Sequence, residues 1–239
     1  ASDHPAQGSA EMTITPSKLS GAAGVAAIAA GLLYGSIQFV HPAEEVANVT
    51  GSTWAIVHYL TVAMGVLGLA GITGIYLRQV KETGLLGLSG FLLLALFYLA
   101  TTAHTYLEAF VLPPLAEQAP HVATDILGIF SGAAADGSLG PLEGISTFAF
   151  AVYFLGGVTF GIAVFRARIL ARWAGILLAV GSVSTALLPM FPHALGRFAA
   201  LPVGIAVAWL GYSLISTRQA ASAPATGTPV PGRGRAVAK

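Results

Sequence analysis

The sequence predicts an all-α integral membrane protein, a bundle of six transmembrane helices with a short amphipathic helix at its outer face. Of the 239 residues, 55% are hydrophobic and only 9% are charged, whereas a soluble globular domain has about 25% charged residues. Six apolar segments each have the roughly 20 residues that a helix needs to cross a hydrocarbon core. Because lipid offers no partner for open backbone groups, these segments must be helical.

The six spans form a predicted transmembrane domain over residues 20–216. A polar lead at residues 1–19 and a basic tail at residues 217–239, rich in Pro, Ala and Gly, are predicted to be disordered. Whether residues 1–11 are native or remain from expression is left open. The predicted spans are residues 21–40, 54–77, 85–112, 145–165, 170–188 and 198–215.

The amphipathic helix is predicted within the long connection between the third and fourth spans, in the segment PHVATDILGIF that starts at Pro120. Proline is well tolerated at the first position of a helix. Val122, Ile126, Ile129 and Phe130 recur at helical spacing and form one apolar face. This face predicts a helix that lies on the outer leaflet or caps the bundle.

Basic residues are distributed unequally between the two sides that six spans would create. Cytoplasmic loops carry an excess of Lys and Arg, so both termini are predicted to be cytoplasmic in a cell (inner) membrane. The Ala-rich composition, with Arg preferred to Lys, is typical of a bacterial chain. One side has Arg197 alone, and the other has Lys18, Arg78, Lys81, Arg166, Arg168, Arg172, Arg218, Arg233, Arg235 and Lys239.

Composition also excludes several classes of chemistry. The chain has no Cys, which excludes disulfides, thiol catalysis and haem attached through a CxxCH motif. A formal net charge of +1 gives no support to nucleic-acid binding. A nucleophile elbow, a P-loop and a dinucleotide fingerprint are absent from the sequence. Whether the protein is an enzyme is left open.

Glycines within the spans predict close helix packing. In lipid, helices associate through small residues that let their backbones approach. Gly31 and Gly35 form one such pair, and Gly157 and Gly161 form another. The lipid bilayer is therefore the predicted environment, and these faces could also bind other membrane subunits or a second copy of the chain. The alternative is that the glycines make room for a flat cofactor or a lipid tail.

A polar stripe runs along the third span. At 100° per residue its members share an arc of about 120°. A charge facing lipid at the bilayer centre costs about 2.5–3.5 kcal/mol, so the stripe should face the bundle interior or water. Its members are Tyr98, Thr101, His104, Thr105 and Glu108.

His58 is predicted to lie at the same depth as His104. It follows Trp54, interpreted as an anchor at the membrane interface, by one turn, and the second and third spans run in opposite directions. His41 and His193 are expected at the same end of the bundle. The competing interpretation is ordinary interfacial polarity, with these residues solvated or bonded to the backbone.

This residue set is compatible with three kinds of chemistry. His58, His104 and Glu108 could ligate a divalent metal. The two histidines could instead bind a haem or a chlorin, or an imidazole and the carboxylate could exchange a proton. The predicted second layer of hydrogen-bond partners is Tyr98, Thr101 and Thr105.

Three functional classes follow from the sequence. The first is a membrane protein with a cation- or cofactor-binding site near its outer face. The second is a non-catalytic accessory subunit of a larger membrane complex. The third, a small-molecule or ion transporter, is the weakest, because paired spans interrupted at their centres, typical of transporters, are missing from the sequence.

Overall fold

The computed structural model describes residues 13–131, 136–186 and 197–222. These residues form helices and short connections, and no strand occurs among them. The all-α membrane fold is therefore confirmed. The helical segments long and apolar enough to cross a membrane are Pro16–Val40, Ser52–Arg78, Val80–Gln118, Gly140–Ala167 and Ala200–Thr217.

The number of spans is less well defined than the fold class. The described part of the predicted fifth span is a helix of 15 residues, Arg172–Ala186, and residues 187–196 lie outside the described part. The count of six therefore stays a prediction. The first helix begins at Pro16, before the predicted start at residue 21, and the last helix continues to Ser222. The predicted lead and tail otherwise fall largely on residues 1–12 and 223–239, which the structure does not describe.

The helices are numbered here in chain order. A π-helix, Leu107–Val111, joins α4 to α5, and short 3-10 helices, Gly140–Gly144 and Arg197–Ala199, precede α7 and α9. The α-helices are α1 Pro16–Val40, α2 Val46–Val49, α3 Ser52–Arg78, α4 Val80–Tyr106, α5 Leu112–Gln118, α6 Pro120–Ser131, α7 Ile145–Ala167, α8 Arg172–Ala186 and α9 Ala200–Ser222.

Local sequence signals explain several helix ends. The hydroxyl of Thr15 accepts a hydrogen bond from the backbone N–H of Lys18 at 3.2 Å, which caps α1, and Pro16 suits the first helical position. Gly84 interrupts α4 with φ 55° and ψ −150°, a backbone conformation that glycine can adopt because it has no Cβ. The regular helix resumes at Leu85, where the third span is predicted to start.

Six of the helices form a closed ring. In order around the ring they are α1, α3, α4, α7, α8 and α9, and α9 returns to pack along α1. The main core fills the ring with apolar side chains from these helices, Phe160 and Leu214 among them. Large apolar side chains also point outward, for example Leu32 and Leu85, as expected for a surface solvated by lipid.

Glycines let neighbouring helices of the ring touch. A Cβ added to Gly31 of α1 would collide with the carbonyl oxygen of Gly204 and lie 2.7 Å from the backbone nitrogen of Ala208, both on α9. A Cβ on Gly71 of α3 would lie 2.7 Å from Cα of Ala27. These glycines therefore pack helices of one chain together and leave no room for a flat cofactor there. Binding of other subunits through other faces stays a prediction.

We expect Gly31→Ala to destabilise the bundle by about 1–3 kcal/mol, because the new methyl group meets backbone atoms that cannot move away. Thermal unfolding in detergent should show a lower Tm. Gly144→Ala is the control, since nothing lies within 4 Å of a Cβ at that position. Equal Tm values for the two variants would contradict the close packing of α1 and α9.

The predicted amphipathic segment is helix α6, and it covers one end of the bundle. Its buried residues Ala123, Ile126 and Leu127 pack with Val49 and Leu112 in a second apolar cluster. The Asp125 carboxylate ties α6 to the following loop, because it accepts hydrogen bonds from the backbone N–H groups at 136 and 137, at 3.0 and 3.3 Å. We call this end of the bundle, which carries α2, α5 and α6, the α6 end.

Candidate functional site

A cluster of two histidines and one glutamate lies at the α6 end, and we call it the His–Glu–His cluster. His58 comes from α3, His104 from α4 and Glu108 from the π-helix. Nε2 of His58 lies 3.5 Å from Oε2 of Glu108. Nε2 of His104 lies 3.2 Å from the other carboxylate oxygen, Oε1. The carboxylate therefore lies between the two imidazoles.

The cluster is largely removed from solvent. His58 is 1% exposed and His104 is 6% exposed, and the Glu108 side chain is 13% exposed. The α6 end thus encloses a titratable group from each of three helical segments. This burial does not match the competing interpretation of a freely solvated Glu108. Because hydrogen bonds are stronger and unpaired polar groups more costly away from water, each hydrogen bond in the cluster affects its stability.

Trp54 supports the cluster on one side. Its side chain is fully buried, its ring stacks on that of His58 with centroids 4.0 Å apart, and its indole N–H donates to the backbone carbonyl of Glu108 at 3.0 Å. The interpretation of Trp54 as an interface anchor is wrong, because α5 and α6 cover it within the second apolar cluster. The sequence signal was present, since an aromatic residue four positions before His58 must share its face of α3.

The π-helix explains why the carbonyl of Glu108 needs this donor. The N–H of Leu112, which would bond to Glu108 in an α-helix, bonds instead to the carbonyl of Leu107. The π-helical partner of the Glu108 carbonyl would be the N–H of residue 113, which is Pro113 and has none. The indole of Trp54 therefore satisfies a carbonyl that neither helix geometry can satisfy, and so fixes the backbone that carries the carboxylate.

The Trp54 carbonyl determines which nitrogen of His58 carries a proton. Nδ1 of His58 lies 2.8 Å from that oxygen, and a carbonyl oxygen only accepts hydrogen bonds, so we assign the proton to Nδ1. In a neutral imidazole the other nitrogen then has a lone pair and no proton. Nε2, which faces Glu108, makes no hydrogen bond of good geometry. Two acceptors, an imidazole nitrogen and a carboxylate oxygen, therefore face each other.

His104 is less constrained than His58. Neither of its ring nitrogens makes a hydrogen bond of good geometry, although Nε2 is close to Glu108. The ring of Phe130, near the end of α6, covers that of His104 with centroids 4.3 Å apart. His104 can therefore take either tautomer or both protons without losing a backbone partner.

The other predicted site residues have different positions. His41 extends the cluster, with its ring centroid 5.3 Å from that of His58 and its Nδ1 2.9 Å from the Pro42 carbonyl oxygen. Thr101 is partly buried and Thr105 is buried on α4, and their roles stay predictions. His193 lies outside the described residues.

Tyr98 belongs to another layer of the bundle. It is part of the main core, with its ring against Gly68 of α3. Six residues separate it from His104 along α4, about 9 Å at 1.5 Å per residue. The structure therefore places Tyr98 on the predicted stripe but away from the His–Glu–His cluster.

The geometry of the cluster suits some of the predicted cofactors better than others. Within residues 13–131, 136–186 and 197–222, no three His, Asp or Glu side chains are arranged ready to hold a metal ion. A haem or chlorin between His58 and His104 does not fit, because the Glu108 carboxylate lies there, within 3.5 Å of both imidazoles. The orphaned nitrogens of both rings nevertheless suit a small cation.

No protein-family model, curated protein or solved structure matches the chain.

Proposed function

We propose that this multi-pass membrane protein holds and exchanges a cation at the His–Glu–His cluster, and that the cation is a proton shared by His58 and Glu108. One observation carries the proposal. Nδ1 of His58 is committed to the Trp54 carbonyl at 2.8 Å, so Nε2 faces the carboxylate, 3.5 Å away, as a second acceptor. A cation between these atoms turns a repulsive contact into an attractive one.

A single proton satisfies the pair in either of two ways. On Nε2 it makes an imidazolium that donates to an ionised carboxylate, and on Oε2 it makes a neutral carboxyl that donates to the imidazole. Without that proton, a buried nitrogen remains unsatisfied, at a cost of about 1–3 kcal/mol. The pair should therefore retain one proton more than a neutral His and an ionised Glu would have.

His104 gives the proton a route through the carboxylate. Its Nε2 lies 3.2 Å from Oε1, on the opposite side from His58. A proton taken up at one carboxylate oxygen can thus be balanced by release from the other, with the imidazoles as donor and acceptor. Intramembrane His and Glu residues typically serve in proton relays, and imidazole changes its charge near physiological pH.

The cluster would face the outside of the cell membrane. The basic residues on the opposite side of the predicted spans outnumber Arg197 by ten to one, which by the positive-inside rule puts the termini in the cytoplasm and the α6 end outside. A proton site here would therefore exchange with the external solution.

A divalent transition metal is the second candidate. The two contact distances, 3.2 and 3.5 Å, are close to the roughly 3.4 Å that separates two ligands of a tetrahedral Zn²⁺ with bonds of about 2.0–2.2 Å. Both imidazoles would have to rotate toward a common centre, since the cluster is not arranged for an ion as it stands. The proton needs no such rearrangement.

Infrared difference spectroscopy on metal-free protein in lipid tests the proposal. During a pH titration, a carboxyl C=O band should appear on acidification, be absent from Glu108→Gln, and shift its midpoint in His58→Gln. His121→Gln, at an exposed position on α6, is the matched control and should titrate as the wild type.

The same samples decide between the two cations. After incubation with Zn²⁺ or Cu²⁺ and removal of the excess, metal analysis should show no metal that depends on Glu108. A stoichiometric ion that is lost in His58→Gln and in His104→Gln would make the metal the occupant. If neither the carboxyl nor the carboxylate bands of Glu108 respond to His58→Gln and no metal binds, the pair shares no cation and the proposal fails.

A further inference from the structure

A small enclosed cavity lies at the centre of the helix ring, apart from the His–Glu–His cluster. Its volume is about 10 Å³, and residues from all six helices of the ring line it. Most of the wall is apolar, with Ile72, Leu94 and Leu210 among the lining side chains. A cavity of roughly 10–15 Å³ by this measure accommodates one water molecule and little more.

Three tyrosines are the polar residues in the otherwise apolar wall of this cavity. Tyr34 of α1, Tyr98 of α4 and Tyr153 of α7 all line the cavity. The side chains of Tyr34 and Tyr153 lie close enough to interact with each other. The Tyr153 hydroxyl also lies 3.1 Å from Oγ1 of Thr185 on α8. Polar residues from three helices therefore line the cavity, and Thr185 on a fourth helix contacts one of them.

The hydroxyls have unequal capacity to bind a further group. The Thr185 hydroxyl donates its own proton to the Gly181 carbonyl, so in its contact with Thr185 the Tyr153 hydroxyl must be the donor, which uses the single donor of a phenol and leaves its acceptor positions. The Tyr34 hydroxyl lies beside Tyr153, and its one donor and two acceptor positions give it capacity for a further partner. In the hydrocarbon region a hydroxyl can obtain no partner from bulk water, so a trapped water is the group of the right size to use that capacity.

We propose that the cavity binds one water molecule, which bridges the hydroxyls of Tyr34 and Tyr98. Purely apolar cavities of proteins stay empty, whereas buried waters occupy polar ones and make two to four hydrogen bonds. The water would connect α1 to α4 across the ring and extend the hydroxyl network of Tyr153. This site does not depend on the proposed function of the His–Glu–His cluster, from which Tyr98 is separated by about 9 Å along α4.

A structure at a resolution that shows ordered water tests this site directly. The wild type should have a solvent peak within hydrogen-bond distance of both the Tyr34 and the Tyr98 hydroxyls. The peak should be lost from the double variant Tyr34→Phe/Tyr98→Phe and retained in Tyr212→Phe, whose tyrosine is exposed on α9. A wild-type structure with no peak would overturn the proposal.

Discussion

Glu108→Ala should lower the Tm, whereas Glu108→Gln should leave it near that of the wild type. Alanine leaves the Nε2 atom of His58 buried and facing a void. The unsatisfied nitrogen costs about 1–3 kcal/mol, or roughly 2–12 °C at about 2–4 °C per kcal/mol for a chain of this size. Thermal unfolding in the same detergent or lipid measures the difference.

Glutamine preserves the contacts because it has the shape of a protonated glutamate. Its amide N–H can donate to Nε2 of His58, and its carbonyl can accept from Nε2 of His104, at the places of Oε2 and Oε1. The variant should be stable but should no longer exchange a proton. The Tm of Glu108→Gln therefore shows whether the stability of the cluster depends on its hydrogen-bond geometry or on the charge of the carboxylate.

Glu117→Ala is the matched control for these variants. Glu117 is exposed on α5, outside the cluster, and its removal should leave the Tm unchanged. Two results would contradict the account: a Tm for Glu108→Ala equal to that of Glu117→Ala, or a Glu108→Gln variant as unstable as Glu108→Ala. The second would mean that an ionised carboxylate, with no shared proton, is what the cluster requires.

Trp54→Ala should be the other strongly destabilising change, at about 3–5 kcal/mol for the loss of a buried tryptophan side chain. Trp54→Phe is more informative. Phenylalanine can still stack on His58, but it cannot donate to the Glu108 carbonyl, which then has no donor because Pro113 lacks an N–H. We expect a loss of about 1–3 kcal/mol from that carbonyl alone.

The Trp54 variants should also alter the titration of the cluster. If the indole fixes the π-helix, its loss lets Glu108 move relative to His58, and the carboxyl midpoint in the infrared titration should shift. Trp209→Phe, at a partly exposed position on α9, is the control. It should leave the carboxyl midpoint unchanged and should lower the Tm less than Trp54→Phe does. A Trp54→Phe variant that titrates like the wild type would show that Trp54 packs against the cluster without positioning it.

The main features of the fold could be predicted from hydropathy alone. Segment lengths and composition gave the long helices, and the start of the third span at Leu85 coincides with the break at Gly84. The helical spacing of the apolar positions after Pro120 predicted α6, but the predicted apolar face was wrong in part, because Asp125 is buried and Phe130 is exposed. The fifth span is different, because Arg172–Ala186 is shorter than the predicted segment and the residues after it are not described.

The contact of His58 with Glu108 agrees with the depth argument, since antiparallel spans bring residues near one end of the bundle together. The same reasoning misplaced Tyr98 because a shared face fixes an angle around the helix and not a height along it. Tyr98 and His104 face the interior alike, but six residues of rise put them in different layers. Spacing on one helix could not reveal this separation.

The contact of Trp54 with the Glu108 carbonyl and the π-helix were not predicted, although both leave a trace in the sequence. Pro113 and Pro114 remove two N–H donors just after Glu108, and a helix without them must bond its carbonyls in another way. Which donor replaces them depends on the tertiary contact between α3 and the π-helix. Residue types alone also left metal, haem and proton open, because His and Glu suit each of them.

The most direct measurement is the protonation state of His58, observed by nitrogen NMR of histidine-labelled, metal-free protein in lipid, with His58→Gln to assign its signals. The account predicts a proton on Nδ1, bonded to the Trp54 carbonyl, together with a second proton either on Nε2 or on the Glu108 carboxyl. It would be contradicted by a His58 whose only proton is on Nε2. A proton on Nδ1 alone, facing an ionised Glu108, would contradict it equally.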